Sequence, residues 1–213
     1  MTSKNHSLQS SLNILFAIYL LFSVHSVWAE TEQEQAIQVP VNQLHDALIN
    51  IMKSADSSSF EDRYRLIENV ITEKFNTPLI SRVILSRYWK SLDEKAQTNF
   101  IALFNRLTIS TYVSRFDSFD NESFKYLAIE PMKKDRFLVK TELVRTDDDP
   151  VSFNYIVQSD DGIWKIISVI ADGINDLSLK RAEYSSVIKD KGFDALIDSI
   201  KGKISDLQPK TAQ

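Results

Sequence analysis

Three histidines, no cysteine and a scatter of aspartates are the chemical resources of this 213-residue chain. His6 and His25 fall in a stretch that reads as a leader, which leaves His45 by itself. One imidazole and no thiol cannot furnish a His-rich zinc site or a Cys–His nucleophile pair, so no metal is expected. A Ser-His-Asp arrangement would need His45, on a peripheral N-terminal helix, and no G-x-S-x-G turn accompanies it. Neither G-x-x-x-x-G-K-[ST] nor G-x-G-x-x-G occurs, so nucleotide cofactors held by the usual loops are not expected either.

Carboxylates remain. Asp147, Asp148 and Asp149 lie in a hairpin tip, where aspartate bonds its own backbone and stays solvated, and their spacing is not that of an EF-hand. Asp172 and Asp176 flank Gly173 and admit two readings. One of them could act as a general base of raised pKa in an apolar pocket, beside a tyrosine such as Tyr155. Alternatively, Asp172 makes the turn and Asp176 or Ser178 caps the helix that follows. With 25 basic against 29 acidic residues the formal charge is −4, and no dense basic face exists, which argues against nucleic acid as a partner.

The positioning elements begin after residue 29. Lys4 precedes an apolar run from Leu12 to Val24, and Val27-Trp28-Ala29 offers small or tolerated residues where a signal peptidase reads, so cleavage after Ala29 is expected. An uncleaved anchor is the alternative, because the run is long and its flank weakly basic. Removing the segment takes away Lys4 and no acid, moving the charge from −4 to −5. An exported chain without cysteine must be stabilised by burial, for which 43% hydrophobic residues suffice.

The expected organisation is a signal peptide over 1–29, a flexible polar lead over 30–40, one domain over 41–204 and a polar tail over 205–213. Helical periodicity runs through Val41 to Met52 and Phe60 to Phe75. Thr77-Pro78 reads as an N-cap with proline at the first helical position, opening a helix to Trp89. Ser91-Leu92-Asp93-Glu94 has the form of a capping box starting a long helix with Ala96, Phe100, Leu103, Phe104 and Leu107 on one face, continued by Tyr112 and Phe116. The period then falls to 2 over Phe124–Ile129, Arg136–Val144, Val151–Gln158 and Ile163–Ala171. Asp161-Gly162 is a tight-turn signal. Helices, a four-stranded antiparallel sheet and further helices give an α+β fold.

The stretch Trp164 to Ile204 carries a more specific signal. Trp164-Lys165-Ile166, Asp172-Gly173-Ile174, Lys191-Gly192 and Phe193-Asp194-Ala195-Leu196-Ile197 resemble the C-terminal signature of the MlaC/toluene-tolerance family of periplasmic lipid carriers. Within it, ADGINDLSLKRAEY is most similar to the hopanoid-associated HpnM branch, and the likeness reaches back to about Thr77. The resemblance implies an apolar cavity between sheet and helices. Its expected lining is Val83, Ile84, Tyr88, Phe100, Leu103, Phe104, Leu107, Tyr112, Phe137, Val139, Tyr155, Val157, Trp164, Ile166 and Ile174, residues that composition alone assigns to an ordinary packed core. One leaflet of hydrocarbon sets its depth at roughly 15 Å.

Arg82, Arg87, Lys90 and Lys95 would then meet anionic head groups or an acidic docking surface, where otherwise they are the solvated side of amphipathic helices. The implied partners are a phospholipid or hopanoid, an inner-membrane ABC-type complex with a lipid-binding ring subunit, an outer-membrane lipoprotein complex and, transiently, the membrane surface. No catalysis is implied. A small-molecule enzyme using Asp172 or Asp176, and a solid-cored adaptor, are the competing classes.

Overall fold

The computed structural model describes residues 32–146 and 148–208; the expected signal segment, Asp147 and the end of the expected tail lie outside them. The chain divides into two units between Ile37 and Gln38. Of the first, residues 32–37 are the opening turns of helix α1 (32–53), so the described part of the expected flexible lead is helical. Glu32 to Ala36 are strong helix formers, and Pro40 did not mark the boundary its ring suggests. The architecture below is that of the second unit.

Helix α2 (Phe60–Lys74) starts at Ser59, whose hydroxyl accepts from the Asp62 N–H at 3.1 Å. Helix α3 (Thr77–Leu85) is capped by Asn76, which accepts from the Leu79 N–H at 3.0 Å; the expected cap, Thr77, is already inside. It ends four residues short of Trp89 because Ser86 turns to φ 52° and a 3₁₀ segment, Ser86–Ser91, follows. Arg181 donates to the Ser86 hydroxyl at 3.0 Å, a tertiary bond that no local pattern announces.

Helix α4 (Glu94–Arg115) spans 22 residues, about 33 Å at 1.5 Å each. Its cap is Asp93, accepting from the Ala96 N–H at 2.7 Å, while Ser91 donates to the Tyr88 carbonyl at 2.7 Å. The capping box expected at Ser91 is therefore not formed: a carboxylate two residues nearer the helix satisfies its amides and complements its dipole.

Strands β1 (Ser123–Met132), β2 (Arg136–Val144), β3 (Val151–Asp160), β4 (Ile163–Ala171) and β5 (Ile174–Asn175) form one antiparallel sheet in chain order. The fifth strand, absent from the sequence reading, is the return of the Asp172-Gly173 corner, too short to carry a period. Asp161 and Gly162 both take positive φ, 50° and 83°, as a two-residue hairpin of this hand requires. Pro131 is the penultimate residue of the edge strand β1, where a missing N–H is harmless.

One sheet face is buried: Val139 and Thr141 on β2 lie beside Tyr155 and Val157 on β3. The other carries cross-strand pairs, Lys125 with Glu142 at 3.0 Å and Lys140 with Glu130 at 2.5 Å. After β5, helix α5 (Asp176–Lys191) is capped by Asn175, not by Asp176 or Ser178. Gly192, at φ 88° and ψ 170°, turns the chain into α6 (Phe193–Leu207). The α6 stripe of Leu196, Ile200 and Ile204 is buried and packs on α4, with Phe193 and Phe100 rings 6.2 Å apart. Each such aliphatic side chain contributes about 1.5–3 kcal/mol.

His45 is not peripheral. It is buried, stacks on Phe124 at 3.8 Å and bonds the Tyr155 hydroxyl through Nε2 at 3.0 Å, pinning α1 to the sheet. Burial lowers its pKa from 6.5 to about 4. Above pH 6.5 the ring is neutral whether the chain is folded or not; between 6.5 and 4 the unfolded chain alone takes up the proton. Stability therefore falls across that window, by about 3 kcal/mol in all. Urea unfolding at pH 7 and pH 4.5 should show most of that loss, and His45→Gln should remove its share of the difference.

Candidate functional site

Helix α4 divides into two halves with different neighbours. Its N-terminal half lies under α6 and α5, where Phe100 meets Phe104, Tyr184 and Phe193. Its C-terminal half turns the stripe Phe104, Leu107, Thr108, Thr111, Tyr112, Arg115 and Phe116 toward a cleft of about 280 Å³. Ile80 and Ile84 of α3, Phe153 of β3, and Leu177, Leu179 and Lys180 of α5 supply the other walls, with Phe75, Ile174 and Asp176.

The sheet side of the cleft depends on a bulge. The β3–β4 register slips between Ile156 and Val157, leaving Ile167 as an extra residue. A regular strand sends successive side chains to opposite faces; the bulge re-aims them, so Ile167, Ser168 and Val169 all border the cleft, with Ala171 beyond. The two threonines in the α4 wall bond their own helix, Thr108 to the Phe104 carbonyl at 2.9 Å and Thr111 to that of Leu107 at 2.7 Å. Their hydroxyls are thereby satisfied, and the wall is effectively apolar.

Polarity gathers at the rim. Ile174 and Leu179 are 60% and 57% exposed, an apolar lip, and Arg115 and Asp176 are exposed beside them. Lys180 Nζ lies 3.3 Å from Asp176 Oδ1. Burial pushes the Tyr112 hydroxyl well above the usual phenol range; nearby Asp176 raises it further and Arg115 opposes, so Tyr112 stays a neutral donor.

Of the expected lining, Ile84, Phe104, Leu107, Tyr112 and Ile174 border this cleft. Val139, Tyr155, Val157 and Ile166 sit instead in the closed part of the sheet face, all at most 1% exposed. Ile166 accepts from the Asn76 N–H at 3.0 Å and so anchors the α2–α3 junction. Phe137 and Trp164 pack on each other at 5.4 Å, Phe100 is covered by α6, and Val83, Leu103 and Tyr88 are half-buried elsewhere. Arg82, Arg87, Lys90 and Lys95 are exposed and border no part of the cleft; Arg87 donates to the Tyr88 hydroxyl at 2.9 Å.

The acid–base trio considered from sequence does not assemble. Tyr155 is bonded to His45, Asp172 is exposed in its turn at φ 49°, and Asp176 pairs with Lys180. Sequence reasoning missed Thr108, Thr111, Arg115, Phe153 and Lys180 as lining. The helical stripe through Phe104 and Tyr112 could have found the first three, whereas the bulge left no signal.

Arg63 was missed as well. It is buried on α2 and donates to the Val113 and Phe116 carbonyls at 3.1 and 3.4 Å, closing the last turn of α4 where that helix meets the cleft.

A protein-family profile described as MlaC protein matches residues 42–202. Among solved structures, a phospholipid-binding protein from Ralstonia solanacearum, determined in complex with a phospholipid, superposes with a TM-score of 0.71. The two share 18% identity over 80% of this chain and 98% of that one, a likeness of fold. Since Arg63 is what fastens the cleft-facing end of α4, Arg63→Met should cost about 1.5–3 kcal/mol in urea unfolding, the size of a lost charged hydrogen bond. Amide exchange should quicken first around Val113 to Phe116.

Proposed function

The chain belongs to the MlaC family, and we propose that it is a periplasmic lipid-binding carrier that takes one lipid at a time into the α3–α4–β4–α5 cleft. The observation that carries the reading is an apolar cleft whose lip, Ile174 and Leu179, stays greasy where it meets water. Unpartnered apolar side chains at a pocket mouth are costly in solution and useful for drawing a tail across.

The physics is one of shielding. Each acyl CH₂ kept from water is worth about 0.8 kcal/mol, so a two-chain lipid loose in the periplasm costs on the order of 20 kcal/mol. A cleft as apolar as the bilayer makes transfer nearly isoenergetic, and head-group and partner contacts then set direction. At about 280 Å³ the cleft sits just under the roughly 300–1,000 Å³ of ordinary ligand pockets. Two full tails therefore need α3 and α5 to part from β4. Nothing in this scheme needs a catalytic group.

Export follows from the leader over residues 1–29. Donor and acceptor are an inner-membrane ABC-type complex with a lipid-binding ring subunit and an outer-membrane lipoprotein complex, reached by transient contact with the membrane surface. Exposed Arg82, Arg87, Lys90 and Lys95 are the docking candidates on that route. A hopanoid cargo is the second reading, favoured by the HpnM-like run from Ala171 to Tyr184.

Plugging tests the cleft. Ala171 lines it and is only half-buried, so Ala171→Trp should fill it, abolish lipid co-purification in native mass spectrometry and leave the thermal midpoint nearly unchanged. Val157 is fully buried in the closed region, where the same change should cost about 1–3 kcal/mol by overpacking. Lipid retained by Ala171→Trp protein would end the assignment of the cleft.

A further inference from the structure

Two cations border a cleft whose walls are mostly apolar: Arg115 in the last turn of α4 and Lys180 in the second turn of α5. They are differently committed. Lys180 is paired with Asp176 at 3.3 Å, whereas among the described residues Arg115 makes no ion pair. A basic residue at a helix C-terminus ordinarily answers the helix dipole and its unpaired carbonyls. Here the Val113 and Phe116 carbonyls are already held by Arg63, so Arg115 is not needed to satisfy them.

The charges around the rim do not cancel. Arg115 and Lys180 against Asp176, the one acid among the lining residues, leave a net charge of +1 beside the greasy lip of Ile174 and Leu179. Tyr112 is close enough to feel both Asp176 and Arg115, although its own hydroxyl is buried. Solvated charges on a helix surface have no reason to converge on the mouth of a pocket. An amphiphile with its tails in the cleft puts its polar group just there.

We infer that Arg115 is the head-group anchor of the carrier, gripping the phosphodiester of its cargo, with Lys180 held in place by Asp176 as a second donor. The planar guanidinium offers two parallel N–H donors matched to two phosphate oxygens, a geometry that an ammonium lacks. The cleft thus selects amphiphiles bearing a phosphate over uncharged ones with the same tails. This rests on the carrier reading above and narrows it, because an uncharged polycyclic cargo would leave Arg115 unpaired.

The test uses the full purified protein incubated with vesicles containing equal amounts of phosphatidylglycerol and of diacylglycerol with matching chains. Retained lipid is counted after the vesicles are removed. The wild type should retain phosphatidylglycerol preferentially, and the preference should shrink as salt is raised, as for a partly exposed pair. Arg115→Gln should reduce the retention ratio about tenfold, the size of one hydrogen-bonded charge pair. Arg115→Lys should restore part of it, and Arg106→Gln, an exposed cation of α4 outside the cleft, should leave it as in the wild type.

Inorganic phosphate, added against chloride at equal ionic strength, should not displace the lipid. A thermal shift with inorganic phosphate alone, combined with a ratio near one, would reduce the rim to a plain anion site and overturn the inference. An unchanged ratio in Arg115→Gln would overturn it too while leaving the carrier reading intact. Retention of neither lipid by the wild type would bring down both.

Discussion

The attachment of helix α4 governs what the rest of the molecule can be. At one end its aromatic residues are buried under α6, a contact made of ring edges and aliphatic side chains and stabilised by removing them from water. At the other, a single buried guanidinium from α2 takes two of its terminal carbonyls. Between these fixings the helix stands off the sheet. Had the same residues been pressed onto β4 along their whole length, the domain would be more tightly filled and would have no interior surface to offer.

The sheet meets the helices in two ways for a related reason. Its middle is closed by α1 through the stacked His45 and Phe124 and the bond to Tyr155, a polar contact inside an apolar layer that fixes one arrangement. Its β4 side is left to α3, α4 and α5, which approach without closing. A chain with no disulfide must obtain its stability from the closed regions, and the burial of Val139, Tyr155, Val157, Leu196 and Ile200 shows where it does so. The filled regions and the cleft are thereby kept apart within the domain.

How much of this was legible depended on the range of the interaction concerned. Strands β2 and β4 were readable to their ends because alternation and turn residues are local; so was the Asp161-Gly162 hairpin. Caps were misplaced at Thr77, Ser91 and Asp176, since several residues in a row could each serve and tertiary packing chose among them. The cleft was half legible. The α4 stripe named Phe104, Leu107 and Tyr112, but apolar residues of the sheet look alike whether they face a void or a neighbour. Val139 and Val157 were therefore grouped with Ile174, although only Ile174 borders the open space. His45 was misjudged because one imidazole on an amphipathic helix gives no hint of a partner 110 residues away.

The irregularity at Ile167 lets one strand obey two sets of rules. Just before it, Ile166 is sealed in a filled interior, where volume is fixed to within about a methylene. After it, Ser168 donates to the Asn175 Oδ1 at 3.3 Å, while Val169 and Ala171 border open space, where shape is less constrained. Substitutions can thus accumulate beside the hollow without disturbing the filled part, so a lineage could reshape the cleft while its scaffold drifted for independent reasons.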